Sequence, residues 1–265
     1  MNFTETGRTR FEIRSRLCGV PLRIEPLFWS SVAVLGIRYY ADPEAGSLGY
    51  FIFWIAAVLG CVLLHALGQA GVGRLFGMRG EIVLYSLGSQ ILGLDKLSRC
   101  WRRTAVLLAG PMVQFVLVAC IWGLTAIPFP KTLGDWGWQS PIANGVAILV
   151  RIALAWGLLN IAPLWPLAGG RIALDVGETL FGRKGKTSAL VLSLAFTAIL
   201  SVWVVFEMSW RLENRYDPLY SIYLLEGIIQ LFFCFVLWLQ SFKALWPGEN
   251  STPEFAPSTS TRPVR

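Results

Sequence analysis

Six apolar stretches dominate this sequence and limit the chain to a membrane-spanning fold. They lie at about 26–39, 47–70, 104–127, 143–165, 187–206 and 218–242. A helix needs about 20 apolar residues to cross the roughly 30 Å hydrocarbon core of a bilayer. The first stretch is short for a full span, so we expect it to tilt or to begin among the headgroups. The sequence therefore predicts an all-α polytopic membrane protein with about six transmembrane helices, and the lipid bilayer is its first partner.

The basic residues are divided unevenly between the connections, and this predicts the orientation of the chain. Segments 1–26, 71–103 and 166–186 hold five, six and four Lys or Arg, whereas loops 40–46, 128–142 and 207–217 hold none, one and two. Positively charged loops stay in the cytoplasm, so both termini are predicted to be cytoplasmic. The net charge of +7 follows from these loops and does not indicate a nucleic-acid partner.

The same pattern divides the chain into one membrane domain with polar ends. We expect residues 1–26 to form a retained cytoplasmic N-terminal segment, 27–242 the membrane domain, and 243–265 a disordered tail rich in Pro, Ser and Thr. Alternation over residues 18–24 predicts a short strand near the membrane surface.

The second apolar stretch ends in the only histidine of the chain, His65. In the zinc motif His-Glu-x-x-His, two histidines one helical turn apart bind the metal, and the glutamate is the general base for the metal-bound water. Here Ala66 stands in place of that glutamate and Gln69 in place of the second histidine. Taken alone, the stretch is typical of a packed histidine.

Two later stretches add to this pattern. Residues 109–114 read Ala-Gly-Pro-Met-Val-Gln, and residues 160–171 read Asn-Ile-Ala-Pro-Leu-Trp-Pro-Leu-Ala-Gly-Gly-Arg. Together, in this order, the three stretches resemble the site-2 protease family of intramembrane zinc metalloproteases. The resemblance covers roughly residues 15–185, and the third stretch is its most specific part. The matching scaffold positions are Gly110, Pro111, Asn160, Pro163, Pro166, Gly169, Gly170 and Arg171.

The departures from the family pattern fall on its chemistry. The resemblance implies a third zinc ligand, an aspartate, where this chain has Ala168. It also implies a hairpin dipping into the membrane near residues 81–92, and a fold in which Gln69 and Ala168 meet. With His65 as the only surviving ligand and Ala66 at the position of the base, we expect no catalytic residue, no metal site and no cofactor.

Three functions remain open at this point. The first is a catalytically degenerate homologue that binds a transmembrane-helix client or another membrane partner without cleaving it. The second is an active zinc metalloprotease with unorthodox ligands, for example His65 with Cys61, Asp95 or Asp175. The third is a transporter-like protein, although no repeated, interrupted helix pair is evident.

Two ionisable residues, Arg151 and Glu226, fall inside predicted spans. Charges at that depth are costly and are usually paired within the helix bundle. We predict an ion pair between them, and a polar path for a ligand is the alternative.

Overall fold

The computed structural model describes residues 11–41, 46–126, 141–212 and 220–246. In these ranges the chain is mostly helical, with a small sheet built from its N-terminal part. The strands are β1 (Ile13–Leu17), β2 (Val20–Ile24), β3 (Glu81–Tyr85) and β4 (Gly88–Leu92). The helices are α1 (Pro26–Leu35), α2 (Arg38–Ala41), α3 (Leu48–Leu75), α4 (Cys100–Ala126), α5 (Pro141–Ile161), α6 (Ala168–Leu212) and α7 (Tyr220–Leu245), with a 3-10 turn at Leu94–Lys96.

Among the described helices, five are long and apolar enough to cross a membrane, namely α3 to α7. This confirms a helical, multi-pass membrane protein. The sequence predicts about six spans, and the difference lies in the first stretch. It forms the 10-residue α1 and the short α2, because the chain turns at Gly36. Trp54 of α3 packs against that turn and donates a hydrogen bond to the carbonyl of Val32 at 3.0 Å.

A four-stranded sheet, in the order β1-β2-β3-β4, departs from the all-α prediction. The predicted strand at 18–24 is confirmed as β2, and the predicted hairpin as β3 and β4, whereas β1 was not foreseen. β2 and β3 run parallel, with Leu22 opposite Ile82 and Ile24 opposite Leu84. Ile82 and Leu84 have no exposed surface, so the sheet is part of the core.

The core joins this sheet to α1 and α3. Alternate residues of β2 and β3 point to this core, because side chains alternate between the two faces of a strand. They share it with residues of α3 that lie one helical turn apart and therefore on one face of that helix. The buried members of the core include Val20, Leu22, Ile24, Phe28, Val32, Val62, Ala66, Ala70, Ile82 and Leu84. Large apolar side chains of α6 and α7, by contrast, point outward, where a bilayer is their natural surroundings.

Glycines set how closely α3 and α4 cross. A Cβ at Gly68 of α3 would lie 2.8 Å from Val113 Cγ2 and 3.0 Å from the Ala109 carbonyl oxygen of α4. One turn earlier along α3, the ring of His65 occupies the space where a Cβ of Gly110 would be. The crossing therefore brings His65 directly against the start of the Ala-Gly-Pro stretch.

The long helix α6 corrects a second expectation. Residues 166–186 were predicted as a basic connection, yet from Ala168 onward they are helical on both sides of a sharp break at Gly182, where φ is 58° and ψ is −140°. Only glycine adopts such a conformation without strain. The backbones of Gly177 and Gly185 come into contact across the break, so the chain reverses tightly there.

Candidate functional site

The imidazole of His65 lies at the centre of a buried hydrogen-bond network. It is 1% exposed, and its Nδ1 lies 3.2 Å from Gln114 Oε1 of α4. The amide nitrogen of Gln69, one turn along α3, lies 3.2 Å from His65 Nε2 and donates a further bond to the Leu107 carbonyl at 3.3 Å. A neutral ring protonated on Nδ1 satisfies both contacts, since Nδ1–H donates to Gln114 and Nε2 accepts from Gln69.

Packing holds this ring in place from two sides. Gly110 lies against one side so closely that any Cβ there would overlap the imidazole. Trp156 of α5 meets the ring edge to face, with centroids 6.5 Å apart. Cradled by α3, α4 and α5, His65 has no freedom to turn another nitrogen toward a ligand without moving Gln69 or Gln114.

The irregular segment before α6 positions Ala168. Gly169 and Gly170 pack so closely that a Cβ at the first would overlap the Ile161 and Ala162 carbonyls, and one at the second would overlap the backbone at 164–165. Arg171 Nε donates to the Pro166 carbonyl at 3.0 Å, and Asn160 Nδ2 donates to the Trp156 carbonyl at 2.9 Å. We call residues 160–171 the closing motif, because they end α5 and lead into the first turn of α6.

The closing motif meets the end of α3 in a cavity of about 20 Å³, which is enough space for one water molecule. Gln69 and Ala168 both line it, so the positions that resemble the second and third ligand sites converge. Strand β4 supplies another part of the wall. The lining residues are Gln69, Tyr85, Ser89, Gln90, Ile91, Leu107, Asn160, Pro166, Leu167, Ala168 and Arg171.

Known proteins resemble this chain in sequence and in fold. No family model matches the chain. It is 29% identical over 179 residues, 64% of its length, to a "Putative zinc metalloprotease" of Synechocystis sp., and the match spans 45% of that relative. It superposes on the site-2 protease of Methanocaldococcus jannaschii with a TM-score of 0.56 at 20% identity, over 86% of this chain and 95% of the other. This chain has a site-2 protease-like fold.

The donor set of this site-2 protease-like protein does not fit zinc. Zn²⁺ in proteins takes three or four nitrogen, sulfur or oxygen ligands in a tetrahedral array. The site offers one imidazole, whose Nε2 lone pair already accepts a hydrogen bond from Gln69. Gln69 itself presents a neutral amide, and Ala168 presents a methyl group. Ala66, at the position of the base, is a fully buried methyl group as well.

A site rebuilt from other residues finds no support either. Within 11–41, 46–126, 141–212 and 220–246, no group of three or more His, Cys, Asp and Glu residues comes together. Asp175 instead accepts a hydrogen bond from Arg103 Nε at 2.7 Å, which ties α6 to the start of α4.

Gln114 and Trp156 are the site residues that the sequence did not reveal. Gln114 was noted only as the end of the Ala-Gly-Pro stretch, and its contact with His65 was not foreseen. Gln114 lies between Val113 and Phe115 in an apolar helix, so its amide needs a hydrogen-bond partner inside the bundle. Because the chain has one histidine, also in an apolar helix, the sequence did contain a reason to pair the two residues. The amide nitrogen of Gln114 has no hydrogen-bond partner in the described part of the chain.

The two charges inside the predicted spans lie away from this site. Glu226 of α7 pairs with Arg38 of α2, with Oε2 and Nη1 3.7 Å apart. Arg38 was not considered in the sequence, because it lies at the edge of the first apolar stretch. The pairing of Arg151 with Glu226 stays a prediction.

Proposed function

We propose that this site-2 protease-like protein is catalytically degenerate: it binds a membrane partner, such as a client transmembrane helix, and does not cleave it. The observation that carries the proposal is the network around His65. Gln69 and Gln114 engage both ring nitrogens of the one remaining ligand candidate, while Ala168 leaves the third position without a donor atom.

Hydrolysis by a zinc enzyme needs three protein ligands, an open position for water, and a base that takes the proton of that water. The buried methyl group of Ala66 accepts no proton, and the cavity between Gln69 and Ala168 presents an amide and a methyl group. Residue chemistry at these positions does not support proton transfer.

The proposal of client binding is supported by the scaffold segments that remain around the site. The closing motif, the β3–β4 hairpin and the end of α3 still enclose the cavity, and the chain lies in a bilayer where its partners are membrane proteins or lipids. A transmembrane helix is the partner class that the family resemblance implies.

Orientation is part of the same proposal: both termini face the cytoplasm, with the domain bounds 1–26, 27–242 and 243–265. Because five crossings would leave the termini on opposite sides, this requires α1 and α2 together to complete a sixth crossing. The shared cavity of Gln69 and Ala168 supports one part of the topology, namely that the end of α3 and the start of α6 lie on the same side of the bundle. Single cysteines at positions 42 and 184, introduced after the five native cysteines are replaced by serine, should react with an impermeant reagent from opposite sides. Reaction of both from one side would refute this topology.

Metal analysis tests the proposal directly. We expect the purified wild type to hold far less than one zinc per chain, and His65→Ala to hold the same amount. Stoichiometric zinc in the wild type that His65→Ala removes would overturn this proposal and favour the alternative of a zinc metalloprotease with unorthodox ligands.

A further inference from the structure

A second cavity, of about 840 Å³, opens between the β1–β2 hairpin, the end of α3 and the β3–β4 hairpin. Its volume is in the range of sites that bind small molecules. It shares no lining residue with the cavity at Gln69 and Ala168. Its lining residues are Arg16, Gly19, Pro21, Arg74, Gly77, Met78, Arg79, Gly80, Glu81, Leu92, Gly93, Asp95 and Lys96.

We propose that this basic cavity binds an anionic phosphate group, either of a membrane lipid headgroup or of a soluble phosphate compound. The proposal is independent of the proposed loss of catalysis. Four cations, namely Arg16, Arg74, Arg79 and Lys96, line the cavity together with two carboxylates. One of those carboxylates, Glu81, is also 3.7 Å from the guanidinium of Arg23. Positive charge therefore prevails at its wall.

Four separate segments of the chain converge to bring these cations together. Arg74, in the last turn of α3, donates from Nη1 to the Cys18 carbonyl at 2.7 Å and so fixes the β1–β2 turn against the helix. Gly77 and Gly93, with φ of 79° and 97°, turn the chain before and after the β3–β4 hairpin. Those turns place the segments that carry Arg79 and Lys96 on the cavity wall.

The residues beside the cavity are those of a bilayer surface. Leu75 ends α3 and is 82% exposed, and Trp101 is 54% exposed. Phe76 meets Trp101 edge to face at 5.3 Å, and the Arg102 guanidinium lies 5.7 and 5.5 Å from these two rings. Aromatic and basic side chains concentrate where lipid headgroups lie. Basic pockets at that level bind phosphate headgroups, and guanidinium groups pair with phosphate oxygens through charge-assisted hydrogen bonds.

The test is calorimetric titration of the purified full-length protein in an uncharged detergent. The probes are dihexanoyl phosphatidylglycerol, dihexanoyl phosphatidylcholine and inorganic pyrophosphate. The cavity variant is Arg79→Gln with Lys96→Gln. The matched control is Arg183→Gln with Lys184→Gln, which removes the same two charges from the turn of α6. All four side chains are exposed, so both variants should fold.

We expect saturable binding of an anionic phosphate probe to the wild type and the control, and about 30-fold weaker binding to the cavity variant. Preference for phosphatidylglycerol over pyrophosphate assigns the site to lipid, and the reverse preference assigns it to a soluble compound. The proposal fails if neither probe saturates, if phosphatidylcholine binds as well as phosphatidylglycerol, or if both variants weaken binding equally. Binding of an acidic peptide in place of both anionic probes would also overturn it.

Discussion

The two walls of the small cavity follow different physical rules. On one side, the backbone of the closing motif packs so tightly that Gly169 and Gly170 have no space for a Cβ. On the other side, Gln69 of α3 lines the cavity, and its amide bonds to the Leu107 carbonyl and to His65, which in turn contacts Gln114. One wall is fixed by close contact of main-chain atoms, and the other by exchangeable side-chain hydrogen bonds.

Under the proposed loss of catalysis, this difference explains how the scaffold persists without the chemistry. A glycine pressed against backbone has no alternative, because the neighbouring carbonyls cannot move independently of the fold. A metal ligand stabilises the fold only while the metal is bound. At the position of the second ligand, the Gln69 amide instead bonds to His65 Nε2 and to the Leu107 carbonyl, and these contacts need no bound ion. The predictions below test this contrast.

The largest effect should come from the main-chain wall. Gly170→Ala places a Cβ into the backbone at 164–165, and we expect a loss of about 3 kcal/mol of unfolding free energy or no folded protein. Reversible unfolding in detergent, followed by tryptophan fluorescence, measures this. Gly71→Ala is the matched control, since nothing lies within 4 Å of its Cβ position, and it should be neutral or stabilising by up to about 1 kcal/mol. Equal effects would remove the contrast.

Gly110 tests where the two kinds of contact meet. Gly110→Ala should cost about 2 kcal/mol, because its Cβ overlaps the His65 ring. In a His65→Ala background the same change should cost at least about 1 kcal/mol less, because the ring is gone. A double-mutant cycle by the same unfolding assay measures the coupling. Additive effects would mean that the ring is not what Gly110 accommodates.

Substitutions in the polar wall should cost less stability, and combining them should restore most of what a single substitution loses. Gln69→Leu leaves His65 Nε2 and the Leu107 carbonyl without their donor, and we expect a cost of about 1 to 2 kcal/mol. Replacing His65, Gln69 and Gln114 together by leucine removes all three polar side chains and leaves only the Leu107 carbonyl without a donor, so stability should recover most of the way to the wild-type value. A triple variant as unstable as the sum of the singles would show that the network itself stabilises the fold.

The smallest effect concerns the charges far from the cavity. Glu226→Gln and Arg38→Gln should couple by about 0.5 to 1 kcal/mol, because their side chains are 12% and 33% exposed and 3.7 Å apart. The sequence predicts the same coupling between Glu226 and Arg151. Two double-mutant cycles in the same unfolding assay, one pairing Glu226→Gln with Arg38→Gln and the other with Arg151→Gln, measure both coupling energies. The absence of coupling to Arg151 would refute the sequence-based prediction.

The sequence predicted the parts that repeat a local pattern. Apolar length predicted the five long helices, alternation predicted β2, and the family resemblance implied the β3–β4 hairpin. These features depend on short stretches of chain, which periodicity and turn residues describe well.

Other features depended on contacts that no local pattern contains. β1 joins the sheet only because β2 lies beside it, and α1 stops at Gly36 because Trp54 fills the space there. Gln114 is 49 residues from His65, and Arg38 is distant in the chain from Glu226. The helix across residues 171–186 was missed because its basic residues and glycines are typical of a loop.

Zinc binding by the variant Gln69→His with Ala168→Asp tests the central claim most directly. The two side chains line one cavity beside His65, so the variant supplies three ligands on an intact scaffold. Metal analysis of purified protein should find about one zinc per chain in this variant, little in the wild type, and little when His65→Ala is added to the variant. Adding Ala66→Glu should supply a base without changing the metal content. A folded double variant that binds no zinc would contradict the claim that the scaffold of the site survives.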